Sequence, residues 1–197
     1  MRVLPGALLT LVLAACATAP GPLGAGEPRL VASPGVLAAD AGVTLTTPPF
    51  EEVHTQWKER LPQGYVFLDH RGPRERFGDT MRALLTAAEA AGIAAQGAPF
   101  GLFWGEDAAR ACVPVNARPE PAGLSFDVLP RAMVAYAVVS GPYPDAPRAL
   151  PGLRAEMQRR GWEQRGPVRE LYLVNPADVA DYGALAAEIQ VPWAELP

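Results

Sequence analysis

Apolar and polar positions along this chain run through one order of elements and then repeat it. Val53, Thr55 and Trp57 alternate with polar residues, which predicts a strand with one solvated face. The apolar run Tyr65 to Leu68 predicts a second strand, closed by Gly72-Pro73. Phe77, Met81, Leu84, Leu85 and Ala88 then fall on one helical stripe, and Gly92 stands where a helix-ending glycine belongs. Phe100 to Trp104 and Arg110 to Val115 predict a hairpin around Gly105-Glu106-Asp107. The second pass predicts strands at Ser125 to Leu129 and Ala132 to Val139, then a helical stripe at Leu150, Leu153 and Met157 closed by Gly161. Proline is tolerated only in the first turn of a helix, so Pro147 and Pro151 place the regular part near Pro151 onward and make it the shorter helix. Strands at Val168 to Val174 and Ala187 to Val191 finish the pass.

The repeat has a measurable offset. Pro73 and Pro142 are 69 residues apart and Ala98 and Gly166 are 68 apart, while Pro114 and Pro192 are separated by 78. One supersecondary unit used twice accounts for this. The fold class is therefore α+β, two strand-rich modules at about 50–118 and 124–197, each carrying one helix. Two such copies facing each other make a cleft where they meet, the natural place to look for function.

The ends and composition narrow the class. One positive charge at Arg2, a short apolar stretch from Val3 to Val12 and the small residues of Leu13-Ala14-Ala15-Cys16 have the form of a secretory leader. The tetrapeptide resembles a bacterial lipobox, which implies a signal peptide at 1–15, lipidation of Cys16 and placement in the cell envelope outside the cytoplasm. The Ala-, Gly- and Pro-rich stretch that follows, up to Pro49, reads as a tether with a reach on the order of 30 Å, leaving 50–197 as the globular part. Removing the leader leaves 16 basic against 21 acidic residues, and no basic run is present to neutralise phosphates, so nucleic acid is not an expected partner. With Cys16 acylated, Cys112 has no internal partner and reads as a small core residue.

Several segments carry a resemblance. Ala135-Tyr136-Ala137-Val138-Val139-Ser140-Gly141-Pro142-Tyr143 and Gly166-Pro167-Val168-Arg169-Glu170-Leu171-Tyr172-Leu173-Val174-Asn175-Pro176 resemble two motifs of the GyrI-like (gyrase-inhibitor-like) effector-binding domains, and Glu188-Ile189-Gln190-Val191-Pro192 resembles their last strand. The resemblance covers about 50–197 and is strongest from Leu129 onward. It implies tandem β-α-β-β modules related by a pseudo-twofold, an antiparallel sheet, and a cleft for small, often flat, apolar or cationic molecules. It also implies a ligand-contacting role for Glu170, which in some hydrolytic relatives activates water, and a cleft-entrance position for Tyr143.

The offset nominates further residues. Adding 68 to Trp104 gives Tyr172, and adding 69 to Phe67 gives Tyr136. Aromatic faces offer area and cation-π attraction worth about 0.5–2 kcal/mol per well-placed ring, with plain core filling as the competing role, preferred for Phe67. Glu170 lies two before Tyr172 on a predicted strand, so both side chains share a face, and at an offset of 68 its counterpart is Leu102. A carboxylate on such a face is costly unless paired or used; a salt bridge to a nearby arginine or an outward turn are the competing roles. Arg71, Arg74 and Arg76 read as a solvated helix entrance and Trp162 as a packing residue. His54 and His70 are the only histidines; no metal-ligand spacing, nucleophile elbow or phosphate loop occurs, and no cofactor is expected.

The sequence thus points first to a membrane-anchored protein binding a small hydrophobic or cationic ligand through Trp104, Tyr136, Tyr143, Glu170 and Tyr172. A hydrolase using Glu170 as general base, with Tyr143 or Tyr172 donating a proton, is the alternative, and a haem-binding relative of the same architecture the second. Oligomeric state is not legible.

Overall fold

The computed structural model describes residues 43–119 and 123–196. The leader, Cys16 and most of the tether lie outside the described residues. Among the described residues ten strands and two α-helices form one mixed α+β unit. The strands are β1 (Leu45–Thr46), β2 (Gln56–Arg60), β3 (Gln63–Arg71), β4 (Phe100–Phe103), β5 (Ala108–Val115), β6 (Ser125–Leu129), β7 (Ala132–Ser140), β8 (Trp162–Gln164), β9 (Val168–Tyr172) and β10 (Ala186–Glu195). The helices are α1 (Phe77–Ala90) and α2 (Leu150–Arg159). The two modules are β3-α1-β4-β5 and β7-α2-β9-β10, joined in one sheet by antiparallel pairing of β4 with β9. Apart from the parallel pair of β1 with β7, the ladders are antiparallel.

Both helices lie on the same face of the sheet because their apolar stripes must leave water. Phe77, Met81, Leu84 and Ala88 of α1 and Leu153 and Met157 of α2 are buried against Val66, Ala111, Val113, Ala135, Val139, Ile189 and Val191. Leu84 and Leu153 are fully covered, worth about 1.5–3 kcal/mol each, whereas Leu85, on the expected stripe, is exposed. Both helices end on a left-handed glycine. At α1, Gly92 (φ 66°) lets its own amide reach Glu89 and the Ile93 amide reach Ala88, and after α2 Gly161 (φ 72°) brings its own amide to Gln158. A 3-10 turn over Tyr143–Ala149 absorbs Pro144 and Pro147, so α2 starts at Leu150, with Pro151 in its first turn.

The sheet also curls. Arg60 faces Ala132 where β2 pairs β7, and Gln63 faces Leu129 where β3 pairs β6, so one pairing register runs through the corner at Leu61-Pro62 and Pro130-Arg131. The ladder from β3 through β5, β4, β9 and β10 to β7 therefore returns to its own start. The face away from the helices becomes an interior, with Tyr65, Phe67, Phe100, Leu102, Cys112 and Leu129 buried there. Arg169 of β9 hydrogen-bonds Gln63 of β3 across this interior although two strands separate them in the ladder.

Three readings shift. The described globular part begins before residue 50, since Leu45–Thr46 pairs with β7 and Thr46 is fully buried. The first strand of the early module starts at Gln56, with only Trp57 of the three alternating residues inside it. Trp162 does pack, stacked on Trp193 at 4.0 Å, but from a short strand, β8, that apolar pattern did not announce.

Candidate functional site

Where β4 meets β9, Gly101 faces Glu170 directly and Phe103 faces Val168, and all four side positions lie on the helix-bearing face. Alternation along β9 adds Tyr172 to that face. The 3-10 turn Arg74–Arg76 before α1 supplies Arg74, α1 opens with Phe77, and the 3-10 turn before α2 supplies Tyr143. The site thus sits between the starts of the two helices, at the junction of the modules.

Glu170 is 2% exposed and its Oε1 is ion-paired with Nη2 of Arg74. Tyr172 Oη donates to Oε2 at 3.5 Å. The guanidinium carbon of Arg74 stands 3.8 Å from the centre of the Phe103 ring, a cation held between a carboxylate and an aromatic face. Phe77 and Phe103 pack at 4.8 Å, and Tyr143 and Tyr172 at 4.7 Å. Tyr143 is fixed by the backbone: its Oη donates to the Val174 carbonyl and accepts from the Val174 amide at 3.1 Å. Gly101 is required by this crowding, because a Cβ there would lie 2.5 Å from Phe103 Cε2 and 2.9 Å from Phe77 Cζ. Glycine lets the two rings lie flat on the strand opposite the carboxylate.

Burial dominates the electrostatics. It pushes the Glu170 carboxyl above its ordinary value, with the Arg74 guanidinium pulling the other way. The Tyr172 phenol is pushed well up, by burial first and by the Glu170 charge second. Tyr143 is raised to about 12 by burial, so both phenols are neutral donors at physiological pH. The arrangement can hold a cation by charge and by ring faces, and in this structure the cation in it is Arg74.

Three of the nominated residues, Tyr143, Glu170 and Tyr172, come together here. Trp104 and Tyr136 do not. Trp104 lies just past β4, 51% exposed, 5.2 Å from the Arg110 guanidinium. Tyr136 points into the curled interior, where its Oη donates to Gln56 Oε1 at 2.5 Å beneath Lys58. For Trp104 the cause is a slip of one residue, whereas Tyr136 was paired at 69 with Phe67, and both of those rings lie on the face away from the helices. With the offset at 69 instead of 68, the partner of Glu170 becomes Gly101, that of Tyr172 becomes Phe103, and that of Tyr143 becomes Arg74. Leu102, paired with Arg169, belongs to the other face. The site consists of three repeat-related pairs around the pseudo-twofold. Arg74, Phe103 and Gly101 were missed, though Arg74 follows Gly72-Pro73 as Tyr143 follows Gly141-Pro142.

The histidines lie elsewhere or are engaged. His70 Nδ1 is 2.8 Å from Thr80 Oγ1 and Nε2 is 3.2 Å from the Pro73 carbonyl, so an axial bond to haem iron would cost one of these contacts. Among the described residues no group of three His, Cys, Asp or Glu side chains is placed to hold a metal.

Two modules thus share one sheet and meet over a buried acid. The family model for the GyrI-like small molecule binding domain matches residues 55–194, and the chain belongs to that family. Solved structures repeat the fold at low identity. The EcmrR C-terminal domain is similar over 73% of this chain and 99% of its own, with 17% identity and a TM-score of 0.62. A hydrolase encoded by lin2189 from Listeria innocua is similar over 73% and 93%, with 9% identity and a TM-score of 0.56. SAV2435, solved bound to tetraphenylphosphonium, is similar over 72% and 94%, with 13% identity and a TM-score of 0.53. No curated protein matches the chain.

Proposed function

We propose that this protein captures a small hydrophobic cation in the cleft between its modules, and that it does so outside the cytoplasm on a lipid anchor at Cys16. The observation that carries the ligand class is Glu170, a carboxylate 2% exposed and surrounded by Phe103, Tyr172 and Tyr143. Burying such a charge is costly unless a cation answers it. Arg74 answers it in the absence of ligand, and its side chain, 31% exposed, can swing outward when a better-fitting cation arrives. Tetraphenylphosphonium bound to the similarly folded SAV2435 is of this chemical type and supports the choice of probe.

Calorimetric titration of the purified protein with tetraphenylphosphonium tests the reading. Saturable binding that weakens about tenfold or more in Glu170→Gln supports it. Absence of binding, or equal affinity in the variant, overturns it. Tryptophan emission is a poor reporter here, since Trp104 is on the wrong side of β4. The anchor is tested separately by fractionation: Cys16→Ser abolishes radiolabelled palmitate incorporation and releases the protein from the membrane pellet, and an unchanged pellet sinks that half of the proposal.

Hydrolysis of a reactive ligand is the second reading, favoured by the upward push on the Glu170 carboxyl, which suits a general base, and by the adjacent Tyr172 hydroxyl. Turnover of an electrophilic ester that disappears in Glu170→Gln separates it from capture alone.

A further inference from the structure

The interior on the other face of the sheet has a charge imbalance that the cleft does not explain. Arg169 of β9 is 3% exposed. Its Nη2 donates to Gln63 Oε1 at 2.5 Å, its Cζ lies 3.9 Å over the Phe100 ring, and its Nε is buried with no partner. Arg60, at the end of β2, donates from Nη2 to the Pro130 carbonyl at 3.0 Å, and its Nε too is buried without a partner. Among the described residues neither guanidinium is paired with a carboxylate. Glu188, on the same inner face, is taken by Lys58 Nζ at 2.6 Å and by Gln190 Nε2 at 2.6 Å. Arg110, further along, is satisfied by Asp69 and Asp127, each at 3.0 Å. Lys58, Arg60 and Arg169 therefore share one acid.

A guanidinium as deep as Arg169 is expensive without a carboxylate, and Arg60 beside it is half-buried. Burial first and the nearby Arg60 charge second together lower the Arg169 pKa to about 10. Beside Arg60, at the Leu61-Pro62 corner, a hollow of about 330 Å³ opens, lined by Arg60, Gln63, Gly64, Val115 and Asn116; Arg169 does not line it. No acidic residue lines it. Gln63 forms the link, for it borders the hollow and accepts the bond from Arg169.

We propose that this corner is a second binding site, for a small oxyanion, in which a carboxylate or phosphate group enters the hollow and bridges Arg60 and Arg169. The planar guanidinium fork matches both groups, and an anion there supplies the missing counter-charge. Gln63 and Asn116 add amide donors at the rim. The site is independent of the Glu170 cleft, being on the opposite face of β9, where Arg169 and Glu170 are adjacent and point apart.

The test is a melting and calorimetric titration of the protein with sodium phosphate and, in parallel, sodium acetate, each at ionic strength matched with chloride. A saturable rise in Tm with matching heats for either salt supports the site, and the salt that binds names the class, phosphoryl or carboxylate. Arg60→Gln weakens that binding about tenfold or more while leaving the circular dichroism spectrum unchanged. Arg169→Met, which replaces an unpaired buried charge with an apolar stem, melts in chloride at or above the wild type and gives no response to the anion. Glu170→Gln responds like the wild type. No saturable response to either salt in the wild type, or an undiminished response in both arginine variants, overturns the proposal.

Discussion

Arg74→Gln is the most discriminating perturbation of the Glu170 site, because the proposed function makes Arg74 an internal stand-in for the ligand. Opposite charges 4 Å apart interact by about 4 kcal/mol at an effective dielectric of 20, and removing one member of a buried pair costs about 3–5 kcal/mol. Arg74 is 31% exposed, so water screens part of that attraction, and a loss of about 2 kcal/mol of stability is expected. Glutamine keeps some of the stem that covers Phe103, so the charge accounts for most of the change. Urea denaturation measures it, and the double variant with Glu170→Gln recovers most of the loss, as a cycle between contacting residues requires. The pH dependence has a definite sign. Without Arg74 the Glu170 carboxyl is pushed further above its unfolded value, because burial already raises it. Such a group favours folding in its neutral form: its contribution is complete below the unfolded pKa and is lost as pH rises through the folded one. The deficit of Arg74→Gln is therefore greatest at neutral pH and shrinks on acidification. In the same variant tetraphenylphosphonium binds about tenfold more tightly, about 1.4 kcal/mol, because no internal cation has to be expelled. A deficit that grows toward acid pH, or affinity that falls as far as in Glu170→Gln, refutes this account of Arg74.

Gly101→Ala places a methyl group 2.5 Å from Phe103 and 2.9 Å from Phe77, so it destabilises by about 1–3 kcal/mol in denaturant melts and displaces the rings enough to weaken the cationic probe. Tyr143→Phe removes the hydroxyl that accepts from the Val174 amide and costs about 1 kcal/mol; in the wild type the Tyr143 phenol, raised to about 12, stays out of the spectrophotometric tyrosine titration below strongly alkaline pH. Cys112 is fully buried and burial pushes its thiol up, so iodoacetamide labels it in urea and leaves it untouched in the native protein, as peptide mass spectrometry will report.

The amino-acid sequence by itself determined the order of the main elements without the short strands β1 and β8, the duplication, the two glycine-ended helices and the family, because each rests on local periodicity or on short motifs in order. Apolar stripes at Phe77, Met81 and Leu84, and at Leu153 and Met157, state which side of each helix is buried without reference to any partner. Glu170, Tyr172 and Tyr143 were legible for the same reason, since they sit inside or beside the motif-bearing strand. What only the tertiary structure decided is which residues from the other module face them. Side chains on a strand alternate with period two, so an offset read as 68 instead of 69 carries the choice from Phe103 to Trp104 and from Gly101 to Leu102, onto opposite faces. The curl of the sheet is equally invisible along the chain. It arises from pairings between residues some 60 to 80 apart, and it turns Tyr136, Arg60 and Arg169 inward while leaving Arg74, 96 residues from Glu170, to pair with that carboxylate.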